Sequence, residues 1–152
     1  MILILIYSLF FTPQETDPVL KPVRDLFKGM ETADSTLVRS AFLTDAQMRS
    51  VVETPEGTKI QSGDLDRFVK AIGTSTRKLA EPIWNIKVEI DGPFAQVWAE
   101  YALYIDGEFH HCGVDAFQLI KKGEEWKIML ITDTRRTEDC KVPEEVSDQF
   151  KN

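Results

Sequence analysis

Cysteine is scarce in this chain: only Cys112 and Cys140 occur among its 152 residues. Two cysteines are too few for a disulfide scaffold, and neither lies in a CxxC motif or in the Cys/His spacing of a zinc site. The sequence therefore predicts no metal site. The thiols are either both free, which is the simpler interpretation, or joined in one disulfide if the protein is exported.

The chain also lacks an excess of positive charge and the glycine-rich motifs of several enzyme classes. Eighteen basic residues against twenty-five acidic residues give a net charge of −7. An acidic chain repels phosphate backbones and anionic membrane surfaces, so we expect no nucleic-acid partner. The absence of a P-loop, a nucleophile elbow and a dinucleotide-binding turn argues against phosphoryl and acyl transfer, and no cofactor is expected.

No apolar run is long enough for a stable membrane-spanning helix, which needs about 20 residues. The run Ile2–Phe11 has the length of a signal-peptide core, although no basic residue precedes it and no A-x-A cleavage site follows it. We expect export if this run is a remnant signal peptide, and a cytoplasmic protein if it is an apolar arm or extra strand. The chain is thus divided into this apolar segment (1–15), one domain (16–140) and a polar acidic tail (141–152).

Within the domain, apolar spacing changes from the helical period to the strand period. The predicted elements are helices at 18–30, 35–42 and 65–72, short strands at 46–53 and 58–61, and a meander of strands at 84–90, 94–105, 109–121 and 126–133. Helices that precede a meander indicate an α+β fold. We expect a cone in which about three N-terminal helices pack on a strongly curved antiparallel sheet and enclose a cavity suited to a ligand.

The Asp106-Gly107 turn sets the strand register at the centre of this meander. A two-residue hairpin pairs Ile105 with Glu108, and period-2 geometry then places one set of side chains on a single face. This predicted cavity face contains Trp98, Glu100, Tyr104, His111, Asp115 and Phe117. The opposite face is almost wholly apolar and needs cover, which predicts a homodimer through the outer face of the sheet.

The ionisable groups among these aromatic rings are candidates for proton transfer, because their pKa values shift in such surroundings. The catalytic candidates are Asp115, His111 and Glu100. The ligand-binding candidates are Trp98, Tyr104 and Phe117, which would shape the cavity, and Arg135, which would hold an acidic group of the ligand.

Each candidate also has a purely structural interpretation. Asp115 can be a hydrogen-bonded structural carboxylate, His111 a rim residue, and the aromatic rings ordinary core. Gly113 marks either a close backbone approach or a bend in a curved sheet. Arg135 can instead form a salt bridge with Asp133, Glu138 or Asp139.

Several stretches of the chain carry a resemblance to a known superfamily. They are Val23–Met30, Ala95–Tyr101, His111–Leu119, Trp126–Ile128 and Thr132–Arg136. Together with the order of the elements, they resemble the nuclear transport factor 2-like (NTF2-like) superfamily, the cone fold of ketosteroid isomerase, scytalone dehydratase and SnoaL-like cyclases. The resemblance covers roughly residues 18–140 and is strongest to its SnoaL-like, or putative lumazine-binding, branch.

This resemblance implies a small, partly apolar ligand and cofactor-free chemistry of the isomerase or dehydratase kind. Asp115 resembles the carboxylate base of ketosteroid isomerases, although no tyrosine matches on the first helix. His111 and Asp115 resemble the His–Asp pairing of scytalone dehydratase in residue type only. Because this fold has many functions, the alternative is a non-catalytic association domain whose cavity is a filled core.

Overall fold

The structure of the protein is a computed structural model that describes residues 18–150. The predictions for residues 1–15 lie outside these residues. The elements are α1 (Leu20–Thr32), α2 (Ser35–Ala41), β1 (Phe42–Thr54), β2 (Gly57–Gly63), α3 (Leu65–Gly73), β3 (Leu79–Ala80), β4 (Ile83–Asp91), β5 (Phe94–Ile105), β6 (Glu108–Lys122), β7 (Glu125–Arg135), α4 (Glu144–Ser147) and a 3₁₀ turn (Asp148–Phe150). Between residues 18 and 150, none of the helices has the length and apolarity needed to cross a bilayer.

The helical hairpin of α1 and α2 depends on a glycine inside α1. Gly29 does not end the helix, which continues to Thr32. A Cβ at Gly29 would lie 2.6 Å from Cγ2 of Val38, so its absence lets the two helices approach. The turn between them is completed by Asp34, whose side chain caps α2 by accepting a hydrogen bond from the backbone N–H of Leu37 at 2.9 Å.

The strands form one seven-stranded sheet in the order β2-β1-β7-β6-β5-β3, and β4 also pairs with β5. All pairings are antiparallel except that of β1 with β7, which is parallel. The sheet is therefore mixed rather than antiparallel throughout. The helices cover its concave face, and the core between them includes Val23, Leu26, Val97, Phe117, Leu119 and Ile128. The predicted α+β cone with about three N-terminal helices is confirmed.

A β-bulge at His110 shifts the register between β5 and β6. Ile105 pairs with Glu108 and Tyr104 with Phe109, as the turn predicts, but Leu103 then pairs with His111. One extra residue on β6 moves every later pair by one position, and a one-residue shift exchanges the faces of a strand. The register predicted for the rest of these two strands is wrong for this reason.

The C-terminal segment packs on the convex face of the sheet. Cys112 and Cys140 form a disulfide with Cα atoms 5.9 Å apart, so the interpretation as two free thiols is wrong. The ring of Phe150 stacks on Tyr104 with centroids 3.9 Å apart. We call the resulting group the outer-face cluster; it contains Ala102, Tyr104, Cys112, Cys140, Val142 and Phe150.

Candidate functional site

A cavity of about 560 Å³ lies between the helices and the concave face of the sheet. Its walls are largely apolar and include Phe27, Met30, Met48, Phe68, Leu103 and Ile131. One end is lined by carboxyl groups, and we call it the acidic end; it is formed by Glu81, Asp115 and Asp133. An apolar enclosure with a few convergent polar groups is the usual form of a small-molecule site.

Three of the predicted site residues line this cavity: His111, Asp115 and Arg135. Phe117 lies on the same face in the core, where its ring meets Phe27 edge-on at 6.1 Å. The bulge at His110 explains this grouping, because it brings the odd-numbered residues of β5 and β6 to one face.

Glu100, Trp98 and Tyr104 lie on the opposite, convex face, so the prediction that they share the cavity with Asp115 is wrong. Glu100 accepts hydrogen bonds from Nε1 of Trp84 at 3.0 Å and from Nδ2 of Asn85 at 3.1 Å. Trp98 is 49% exposed, and Tyr104 belongs to the outer-face cluster. The same register shift that places Asp115 in the cavity places these three side chains on the opposite face.

The centre of the acidic end is a pair of carboxyl groups, Asp115 and Glu81. Asp115 is 2% exposed, whereas Glu81 is only half-buried. The two lie within hydrogen-bonding reach of each other. Oδ2 of Asp115 is buried and receives no hydrogen bond from any described residue. Two adjacent carboxylates repel each other, so this arrangement favours one proton held between them.

The surroundings of the pair raise both of its pKa values. Burial raises the pKa of Asp115 well above its usual value, and the nearby charges of Glu81 and Asp133 raise it further. Burial also raises the pKa of Glu81 to about 7. A carboxyl group that titrates near neutral pH can both take and give a proton under physiological conditions.

Glu81 is held in place by the backbone on both sides. Ala80 pairs with Tyr104 of β5, and the carbonyl of Pro82 accepts a hydrogen bond from the N–H of Ala102 at 3.3 Å. The intervening residue therefore sits beside Leu103, whose side chain lines the same cavity.

Asp133 differs from the pair because donors surround it. The Ser50 hydroxyl donates to Oδ1, the Tyr101 hydroxyl lies 3.4 Å from Oδ2, and Nε of Arg135 forms an ion pair with Oδ2. Asp133 faces Asp115 across the β6–β7 pairing. Its partners stabilise a negative charge next to the pair, which disfavours ionisation of Asp115. Of the three salt-bridge partners considered for Arg135, Asp133 is the one observed.

Tyr101 and His111 form the side of the acidic end next to the bulge. Their rings meet edge-on with centroids 5.6 Å apart, and the Tyr101 hydroxyl donates to the carbonyl of Thr134 at 2.9 Å. Burial raises the pKa of Tyr101. Burial lowers the pKa of His111 to about 4, and the cationic Arg135 adds to this effect. The imidazole is therefore neutral near pH 7.

Gly113 is required where β6 passes between Tyr101 and β7. A Cβ at this position would lie 1.8 Å from the carbonyl oxygen of Thr134 and 2.9 Å from Cε1 of Tyr101. The close backbone approach that the sequence suggests is therefore present.

Three members of the site are not among the residues predicted from the sequence: Glu81, Tyr101 and Ser50. Glu81 had one detectable signal, since it is a lone charge inside the apolar run Leu79–Trp84. Ser50 had none, because its contact with Asp133 joins residues 83 positions apart. Within residues 18–150, no group of three His, Cys, Asp or Glu side chains has an arrangement that could hold a metal ion.

A family model described as putative lumazine-binding matches residues 14–131, which is most of the chain. The chain belongs to this family. Among curated proteins, none matches this chain.

Solved structures of the NTF2-like superfamily share the fold. One is an NTF2-like protein of unknown function from Shewanella baltica, with 18% identity, a TM-score of 0.59 and coverage of 79% of this chain and 92% of that one. Another is described as a putative scytalone dehydratase from Novosphingobium aromaticivorans, with 13% identity, a TM-score of 0.62 and coverage of 79% of this chain and 83% of that one. A third is described as a putative calcium/calmodulin-dependent protein kinase II association domain from Xanthomonas campestris, with 14% identity, a TM-score of 0.57 and coverage of 79% of this chain and 86% of that one. At identities this low, these likenesses show that the fold is shared and nothing more.

Proposed function

We propose that the cavity binds a small, partly apolar molecule and that the Glu81–Asp115 pair exchanges a proton with it. The observation that carries this proposal is a carboxyl pair, with Asp115 buried and Glu81 half-buried, at one end of an otherwise apolar cavity. A filled structural core has no need for such a pair, because burying ionisable groups destabilises the fold.

The two carboxyl groups have different roles in this proposal. Glu81 is half-buried, faces the cavity and has its pKa raised to about 7 by burial, so it contacts the ligand as acid or base. Asp115 is buried behind it and holds the shared proton. His111 is the other proposed contact, as a neutral imidazole that forms a hydrogen bond to the ligand.

This arrangement supports isomerisation or dehydration without a cofactor. In an isomerisation, the Glu81 carboxylate takes a proton from a carbon next to a carbonyl group and returns it to another carbon of the same molecule, so no atom is gained or lost. The largely apolar walls lower the polarity around the carboxyl pair, which strengthens its interaction with the ligand.

A ligand screen by thermal shift tests the proposal. The screen contains lumazine, small enones and hydroxylated aromatic compounds, and binding at 100 times the Kd would add about 2.7 kcal/mol of stability. We expect Glu81→Gln and Asp115→Asn to abolish turnover of any ligand found. Glu100→Gln is the matched control on the convex face, and it leaves both binding and turnover unchanged. A cavity that binds nothing in the screen overturns the proposal.

A second candidate function is self-association through the convex face. Three large apolar side chains are exposed there: Phe94 (38%), Trp98 (49%) and Phe109 (43%). We propose a homodimer that covers this patch, as exposed apolar patches commonly mark interfaces. Sedimentation of the wild type and of Trp98→Lys tests it: a dimer that becomes monomeric supports it, and a wild-type monomer at 100 μM contradicts it.

A further inference from the structure

Three hydrogen-bond donors at the acidic end are engaged by the protein itself. The Ser50 hydroxyl and Nε of Arg135 both donate hydrogen bonds to Asp133. The Tyr101 hydroxyl is directed at the Thr134 carbonyl and at Asp133. None of these three donors is directed at Glu81 or Asp115 among the contacts of the described residues.

Acceptors, by contrast, remain in excess. An ionised carboxylate only accepts hydrogen bonds, and a protonated carboxyl group donates one. A pair with a single proton therefore has one donor for its four oxygen atoms, and that donor is used within the pair. Oδ2 of Asp115, on a residue only 2% exposed, is left without a protein donor.

The charges lead to the same conclusion. Glu81, Asp115 and Asp133 converge with one guanidinium group, that of Arg135. Three carboxyl groups with one shared proton and one arginine leave an excess negative charge at the acidic end. His111 does not offset this charge, because it is neutral near pH 7.

We infer that the ligand of this cavity brings N–H donors and positive charge to Glu81 and Asp115 on an aromatic body: an aryl-substituted amine, an amidine or an N–H heterocycle. This inference rests on the proposed function and specifies its ligand class. The aromatic body is argued from the walls, since two phenylalanines (Phe27 and Phe68) and two methionines (Met30 and Met48) line the cavity, and methionine side chains pack well on aromatic rings. A carboxylate ligand held by Arg135, as the sequence suggests, would place a further negative charge beside the pair.

Three probes that share a 1-naphthylmethyl body test this inference by calorimetry at pH 7.5. They are 1-naphthylmethylamine, which is protonated, 1-naphthylmethanol, which is neutral, and 1-naphthylacetate, which is anionic. The cation is expected to bind about tenfold more tightly than the alcohol, and the alcohol more tightly than the anion. Glu81→Gln and Asp115→Asn, each of similar shape to the original, reduce the preference for the cation to within about threefold.

The control separates the acidic end from the net negative charge of the whole chain. Glu124→Gln removes the same unit charge from a side chain that is 97% exposed in the β6–β7 turn, and it leaves the preference unchanged. If the anion binds most tightly, this inference is wrong while the proposed small-molecule function stands. If none of the three probes binds and the ligand screen is also negative, both are overturned. An equal loss of preference in Glu124→Gln and Glu81→Gln also contradicts the inference.

Discussion

Carboxyl side chains have opposite surroundings on the two faces of the β5–β6 hairpin. On the concave face, Asp115 is almost fully buried, one of its oxygens has no protein donor, and its pKa is raised by burial. On the convex face, Glu100 receives two hydrogen bonds, from Trp84 and Asn85. The strands and the residue chemistry are shared, so the difference comes from what covers each face.

This difference separates a carboxyl group with spare hydrogen-bonding capacity from one that is satisfied. A satisfied carboxylate stabilises its own strand and has little left to offer a ligand. An unsatisfied one lowers stability and remains available for binding or proton transfer. Four substitutions test this contrast, from the largest expected effect to the smallest.

Gly113→Ala is expected to have the largest effect, because the new methyl group would overlap the Thr134 carbonyl on the concave side. Backbone cannot move aside as a flexible side chain can, so we expect a loss of about 3 kcal/mol or more in the free energy of unfolding. Urea denaturation measures it. Ala116→Gly, on the convex side of the same strand, is the control and costs only about 1 kcal/mol. Equal losses would contradict the tight concave packing.

Cys140→Ser tests the convex side. It opens a disulfide between residues 28 positions apart, and the entropy of the released loop predicts a loss of about 3 kcal/mol. Urea denaturation with and without a reductant measures the effect, and only the wild type should respond to the reductant. Ligand binding in the cavity should persist at temperatures at which the variant is folded. A wild type that is insensitive to reductant would show that the bridge does not stabilise the fold.

Asp115→Asn changes the pH dependence of stability. A carboxyl group whose pKa is raised by folding binds more protons in the folded state, so the wild type loses stability as the pH rises from about 4 to about 7. The variant removes one member of the pair, and its stability should fall by about 2 kcal/mol less over this range. Urea denaturation at several pH values measures both curves.

His111 changes stability with pH in the opposite direction to the carboxyl pair. Its lowered pKa means that the unfolded state binds more protons, so its contribution to stability decreases as the pH falls from about 6.5 to about 4. This contribution is common to both proteins and cancels in their difference. Parallel curves for wild type and Asp115→Asn would show that the pair does not share a proton.

Glu100→Gln should have the smallest effect. The amide oxygen can still accept from Trp84 or Asn85, so the change in stability is expected to stay below about 0.5 kcal/mol. Binding of any cavity ligand should be unchanged. Loss of binding in this variant would place Glu100 in the site and would contradict the observed register.

The helices and strands follow from apolar spacing, but the two faces could not be assigned from the turn alone. The Asp106-Gly107 hairpin has the predicted pairing for its first two residue pairs. The bulge at His110 follows, and a bulge has no compositional signal as strong as a turn has. One warning was present, since the predicted register set polar Gln96 opposite Phe117 rather than Val97, which is its observed partner.

Half of the acidic end depends on contacts that local sequence patterns do not encode. Asp115 stands out as a carboxylate within an apolar strand. Glu81 reaches the site because a two-residue strand, β3, pairs with the end of β5, and strands this short have no periodicity to detect. Ser50 reaches it only through the parallel pairing of β1 with β7.

That parallel pairing has a consequence for the order of events during biosynthesis. β1 is made early, but its hydrogen-bonding partner β7 ends at Arg135, so β1 can pair only with β2 until most of the chain has left the ribosome. Contacts between residues far apart in sequence form slowly. The cavity is therefore completed late, and the unpaired edge of β1 is exposed to chaperones or to other nascent chains in the interval.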